Sequence, residues 1–122
     1  MSSHLEPVCM TFYSDTAVIA KGSVIKGGSD KSHVAKASAA TDKNIGIAQN
    51  AVSAIGDKIE VAVDGGSKGL LGGTVAFGDY LTSDSNGALV ATTTNNDKIV
   101  AQAFESGVAG DLISVQVSVF NY

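Results

Sequence analysis

The feature that most constrains this chain is the strict alternation that follows Gly110-Asp111. Ile113, Val115, Val117 and Val119 fall on one side, and Ser114, Gln116 and Ser118 on the other. A period of two is the mark of a strand with one face buried and one wet. The same device recurs upstream. Gly56-Asp57 precedes Lys58-Ile59-Glu60-Val61, Gly78-Asp79 precedes Tyr80-Leu81, and Gly22-Ser23 precedes Val24-Ile25. Glycine takes the positive φ of a tight turn, and an Asp or Ser side chain bonds a nearby backbone N–H. Gly22, Gly56, Asp57, Gly78, Asp79, Gly110 and Asp111 are therefore read as structural turn residues. Asn86-Gly87, between Tyr80–Ser83 and Ala88–Ala91, adds a hairpin turn.

Two copies belong to a longer match. Residues 45–63 align without a gap on residues 99–117, with identities at Ile45/Ile99, Gly56/Gly110, Asp57/Asp111, Ile59/Ile113, Val61/Val115 and Val63/Val117. β-rich sequences share a small alphabet, so both chance and internal duplication account for this. Either way the expectation is two similar antiparallel units.

At 122 residues the chain has the size of one domain. Its hydrophobic residues are largely Ala and Val, with no tryptophan, which implies a core of small aliphatic side chains. One proline against 14 glycines implies many turns and few broken strands. Eight to ten short strands follow, over 16–20, 24–25, 33–38, 45–48, 57–63, 80–83, 88–91, 98–104 and 111–120, with 8–13 as a further candidate. The glycine-dense stretch 65–73 reads as a mobile loop. The fold class is all-β: a compact small barrel or sandwich of short antiparallel strands with an extended N-terminal arm. Residues 1–15 form the arm and 16–122 a single β-rich domain. The arm carries Leu5, Pro7, Val8, Met10, Phe12 and Tyr13. It reads either as a first core strand or as a segment that docks on a partner by strand pairing. In the second case, removing residues 1–13 leaves the body folded.

Composition excludes several functions. The net charge is −4 and every basic residue is a lysine. Nucleic-acid recognition leans on arginine and on basic clusters, and neither is present. No segment approaches ~20 apolar residues, so no membrane-spanning helix is expected. Cys9 is the only cysteine, which rules out an internal disulfide and suits a reducing compartment. Met1–Met10 has neither the basic region nor the apolar run of a signal peptide. His4, His33 and Cys9 have no zinc spacing. Asp84 and Asn86 lack the further acidic ligands and the distal Glu of a calcium loop. Neither Asp30-Lys31-Ser32 nor the glycines at 66, 69 and 72 sit in the strand-to-helix setting of a phosphate loop. No nucleophile elbow appears, and turn geometry already accounts for Asp57, Asp79 and Asp111. The chain reads as a non-enzyme with no cofactor and no metal.

Three segments resemble the tailed-phage capsid decoration (cement) proteins. They are Ile45-Gly46-Ile47-Ala48 followed by Gly56-Asp57-x-Ile59-x-Val61, Phe77-Gly78-Asp79-Tyr80-Leu81-Thr82-Ser83-Asp84-x-x-Gly87, and Ala103-Phe104-Glu105-Ser106-Gly107-Val108-Ala109-Gly110-Asp111-Leu112-Ile113-x-Val115. The resemblance covers about residues 20–118; Gly22-Ser23 departs from Gly-Asp, and the N-terminal lead has no counterpart. It implies a β-rich homotrimer, made in the host cytoplasm, on the outer surface of a virion head. There it would staple subunits of the major capsid protein together without catalysis, with the arm residues 5, 7, 8, 10, 12 and 13 as contacts. The rival is a carbohydrate- or cell-surface-binding module on a head spike or tail. Absent tryptophan and dispersed Tyr13, Tyr80 and Tyr122 weigh against that rival.

Overall fold

The computed structural model describes residues 8–94 and 97–121. Nine strands are present among them: β1 (Val8–Ser14), β2 (Val24–Gly27), β3 (His33–Lys36), β4 (Asn44–Ala48), β5 (Lys58–Leu70), β6 (Tyr80–Ser83), β7 (Leu89–Ala91), β8 (Lys98–Ala103) and β9 (Leu112–Asn121). They pair in the order β1-β3-β2-β4-β5-β9-β8-β6-β7, and a further β1–β5 pairing closes the first five into a small barrel. The all-β barrel expectation holds. Pairing is antiparallel except for β1 with β3 and one bridge, Leu71 to Leu89.

The two halves are built alike. In the first, β5 lies beside β4 and β1, β2 lies between β3 and β4, and β1 meets β3 in parallel. In the second, β9 lies beside β8 and the end of β5, and β6 lies between β7 and β8. The parallel bridge between Leu71 and Leu89 takes the place of the Ser14–Val34 pairing. The end of β5 is thus the counterpart of β1. The thirteen-residue β5 ends the closed barrel and begins the second, more open one, whose ends meet through the isolated Leu71–Leu89 bridge. Its partner changes from β1, up to Asp64, to β9, from Gly65 onward. Gly65 has φ +90° at that handover, a backbone geometry that side chains resist.

Four turns lock the strand ends in one pattern. Gly22, Gly56, Gly78 and Gly110 all have φ between +88° and +92°. Each donates its N–H to a backbone carbonyl: Gly22 to Ala48 (2.9 Å), Gly56 to Ser14 (2.8 Å), Gly78 to Ala103 (2.8 Å) and Gly110 to Leu71 (2.8 Å). Those four residues return the bond, donating their own N–H to the carbonyls of Ser23, Asp57, Asp79 and Asp111 at 2.8–2.9 Å. The aspartates also brace their own turns. Asp57, Asp79 and Asp111 each accept a backbone N–H from three residues earlier, at 3.0–3.1 Å. Asp84 does similar work beside Asn86-Gly87, accepting from Asn86 (2.8 Å) and Ala88 (2.9 Å).

Each barrel has its own core. Ile19, Ile25, Val34, Ala48, Val52, Ile59 and Val61 fill the first, with Phe12, Ile45 and Val63 against them. Leu71, Val75, Leu81, Leu89, Val100, Ile113, Val115 and Val117 fill the second. Val24, Ile47 and Ala62 belong to first-barrel strands yet join the second core. Alternation sends Ile59 and Val61 one way and Ala62 the other, so one strand serves both interiors.

Three sequence expectations are corrected. Residues 65–70 are not part of a loop: β5 runs through Leu70, because its ladder with β9 outweighs the low strand propensity of glycine, and the irregular stretch is confined to Gly72 and Gly73. At Gly69 a Cβ would lie 2.3 Å from Leu89 Cδ1, so that the leucine side chain would have to shift. Residues 16–20 are not a strand and contribute a single bridge, Ile19 to Val52, as Val75 does to Gly107 in the second half. The chain turns at once into the glycine clamps there, and Ser14 Oγ, bonded to the Thr16 carbonyl at 2.6 Å, bends the first of them. Of the arm, residues 1–7 lie outside the described residues, Leu5 and Pro7 included. Residues 8–14 are a wall of the first barrel, so removing residues 1–13 would open it.

Two glycine replacements separate crowding from backbone strain. At Gly46 a Cβ would stand 2.0 Å from the Ala62 carbonyl oxygen, whereas at Gly56 (φ +92°) it would meet nothing within 4 Å. Gly46→Ala should cost about 3 kcal/mol or more by overpacking, and Gly56→Ala about 1–2 kcal/mol by strain alone. Urea unfolding of both variants checks the order.

Candidate functional site

Two surfaces stand out. The first is β1. Its even residues follow the inward face: Phe12 packs on the first core and Ser14 is buried. Met10, level with the core residue Val61, and Val8, beyond a register shift, stay exposed, at 52% and 57%. Tyr13 is exposed on the opposite face, its ring 6.0 Å from that of His33. Tyr13 donates its N–H to Ser32 and Asp15 donates to Val34, so the odd positions face β3. By the same alternation Cys9 and Thr11 aim their backbone groups at a side where β3 is no longer present. The sequence-predicted contact residues Val8, Met10, Phe12 and Tyr13 thus lie on one strand. Phe12 is largely spent on the core, and the other three are exposed.

The second surface is a groove of about 530 Å³ along the seam between the barrels. Lys21, Ala48 and Gln49 of the first barrel form one wall, and Phe104 with Ser114 and Gln116 of the second forms the other. Gly66, Ser67 and Lys68 of the shared β5 make the floor. Gln49 Nε2 donates to Ser67 Oγ at 2.7 Å, and Lys68 Nζ donates to Ser114 Oγ at 3.0 Å and lies 3.8 Å from Glu105. Phe104 stacks on Phe77 with centroids 5.8 Å apart and an interplanar angle of 21°. Sequence reading missed this pair, since 27 positions separate the two rings and the Gly78 clamp on Ala103, the Val75–Gly107 bridge and the bond from the Phe77 N–H to Ser106 Oγ bring them together.

Charge chemistry is local and superficial. His33 Nδ1 lies 2.7 Å from Asp30 Oδ1. That bond raises the imidazole above its ordinary value and, with the Ser32 N–H, lowers the Asp30 carboxyl. The Ser38 N–H and the Lys26 ammonium hold Asp42 below the ordinary carboxylate value. Partial burial, and to a lesser extent Glu60, pushes the Cys9 thiol up, which disfavours the nucleophilic thiolate. Among the described residues no group of three or more His, Cys, Asp and Glu could hold a metal ion.

No protein-family model and no curated protein matches the sequence. A solved structure does match the fold: the N base of the head fibre protein gp8.5 of bacteriophage phi29. The TM-score is 0.71 at 19% sequence identity, covering 93% of this chain and 95% of that one. The likeness therefore extends over both barrels.

The His33–Asp30 pair gives a direct check on the local electrostatics. In an NMR titration His33 should lose its proton above the ordinary histidine value, and Asp30→Asn should return it to that value. The histidine's share of stability is present below its ordinary value and fades as pH rises through the raised one. The carboxylate's share fades as pH falls through the lowered Asp30 value.

Proposed function

We propose that this chain is a non-enzymatic structural protein of a phage virion, bound to the outside of the head. There it links neighbouring subunits of the major capsid protein, as a homotrimer. The observation that carries the reading is the fold match, over nearly the whole of both chains, to a domain that is the base of a phage head fibre. The resemblance of the Gly-Asp segments to capsid decoration proteins points the same way from the sequence. The physics is compatible with this: two fused barrels are stiff, and a stiff body with several small footprints gains when its later contacts become intramolecular. Three footprints, each smaller than the roughly 800 Å² per partner of a standard interface, then suffice.

The exposed row of β1 is the face proposed to meet the capsid. Val8 and Met10 offer apolar side chains, and Cys9 and Thr11 offer strand-edge hydrogen bonds to an extended capsid segment. A second reading is favoured by the same neighbour being a fibre base: the domain anchors a head spike on one subunit instead of bridging several.

Co-sedimentation with undecorated heads tests the contact face. The double variant Val8→Ser, Met10→Ser should keep the thermal midpoint and lose about tenfold or more in affinity, as expected when exposed anchors are removed. Unchanged affinity would remove β1 from the interface.

A further inference from the structure

We infer that the seam groove is a binding site for an acidic oligosaccharide. The structural repeat supplies an internal control. Gln49 donates its N–H to Glu60 as Phe104 does to Ser114, at 2.8 and 2.9 Å, so Phe104 occupies in the second barrel the place of Gln49 in the first. By the same correspondence Phe77, next to its clamp glycine, occupies the place of Lys21. The first barrel makes the identical turn and clamp with a lysine and a glutamine. The fold therefore has no need of aromatic rings at 77 and 104, which are 68% and 43% exposed.

What the rings and their surroundings offer is the chemistry of sugar recognition. Phe77 fixes the plane of Phe104, and a fixed apolar plane suits the C–H face of a pyranose. Around it stand amides and hydroxyls that both donate and accept. The half-buried Gln116 side chain makes no hydrogen bond among the described residues, and Gly66 opposite it on β5 leaves the floor bare for close approach. A volume of about 530 Å³ lies within the range of ligand sites and has room for a short oligosaccharide. The lysines give the sign of the charge. On a chain of net charge −4, Lys21 overlooks the groove with no ion-pair partner among the described residues, while Lys68 is shared with Glu105. An added peptide strand is disfavoured, since the floor stretches of β5 and β9 are paired to each other and β9 is also paired to β8. None of the groove residues belongs to β1, so this inference is independent of head attachment.

The test is an amide-resolved NMR titration of the full chain with two probes. One is a tetrasaccharide of alternating glucuronate and N-acetylglucosamine, and the other is the neutral N-acetylglucosamine tetramer. The acidic probe should shift Gln49, Gly66, Phe104, Ser114 and Gln116 and bind more tightly than the neutral one. Phe104→Ala should weaken it about tenfold at an unchanged thermal midpoint. Lys21→Ala should erase the preference for the acidic probe, and Val8→Ser, Met10→Ser should leave both affinities as they were. Shifts with neither probe, equal affinity in Phe104→Ala, or tighter binding of the neutral tetramer would overturn the inference.

Discussion

One strand pairs with two partners in succession, and the rest of the structure depends on it. The first half of β5 closes a barrel with β1, and the second half opens the next barrel with β9. A strand shared in this way leaves no hinge between the halves, because its alternate residues lie in different cores. The cost falls on side chains: glycine stands at the handover (Gly65) and wherever the opposing core comes too close, as at Gly69 and Leu89.

The Gly-Asp clamps explain how so small a core holds nine strands in register. Each clamp fixes a strand end through two backbone bonds to one residue, and three of the four add a carboxylate that braces the turn. This part was legible from the sequence, since the positive φ and the Asp side-chain bond are local requirements. The 45–63/99–117 repeat was legible too, with one offset. The connection from β8 to β9 is one residue shorter than that from β4 to β5, so that Ala48 matches Ala103 although the ungapped alignment pairs it with Gln102. What stayed hidden was non-local. Glycines at 65–70 look like a loop until β9 is known to lie beside them. Phe77 and Phe104 look unrelated until the clamp at Gly78 brings them together. Residues 8–13 looked equally like arm and strand, because the pairing that makes them a barrel wall is with residues about fifty positions away.

A repeated scaffold with diverged surfaces suits a protein whose work is contact. The two barrels agree where the fold demands it, in clamps and core, and differ where they face outward. The first carries an exposed apolar row on β1, and the second carries stacked phenylalanines beside the seam. Rigid fusion fixes the distance and angle between those surfaces. A body bridging capsid subunits needs that property, and so does a foot that holds a spike upright.

The most direct measurement is electron cryo-microscopy of expanded, undecorated heads mixed with the purified protein. The account predicts ordered density on the outer surface, repeated with the head's symmetry and reaching from one capsid subunit to its neighbour. Heads that stay bare at saturating protein would contradict it.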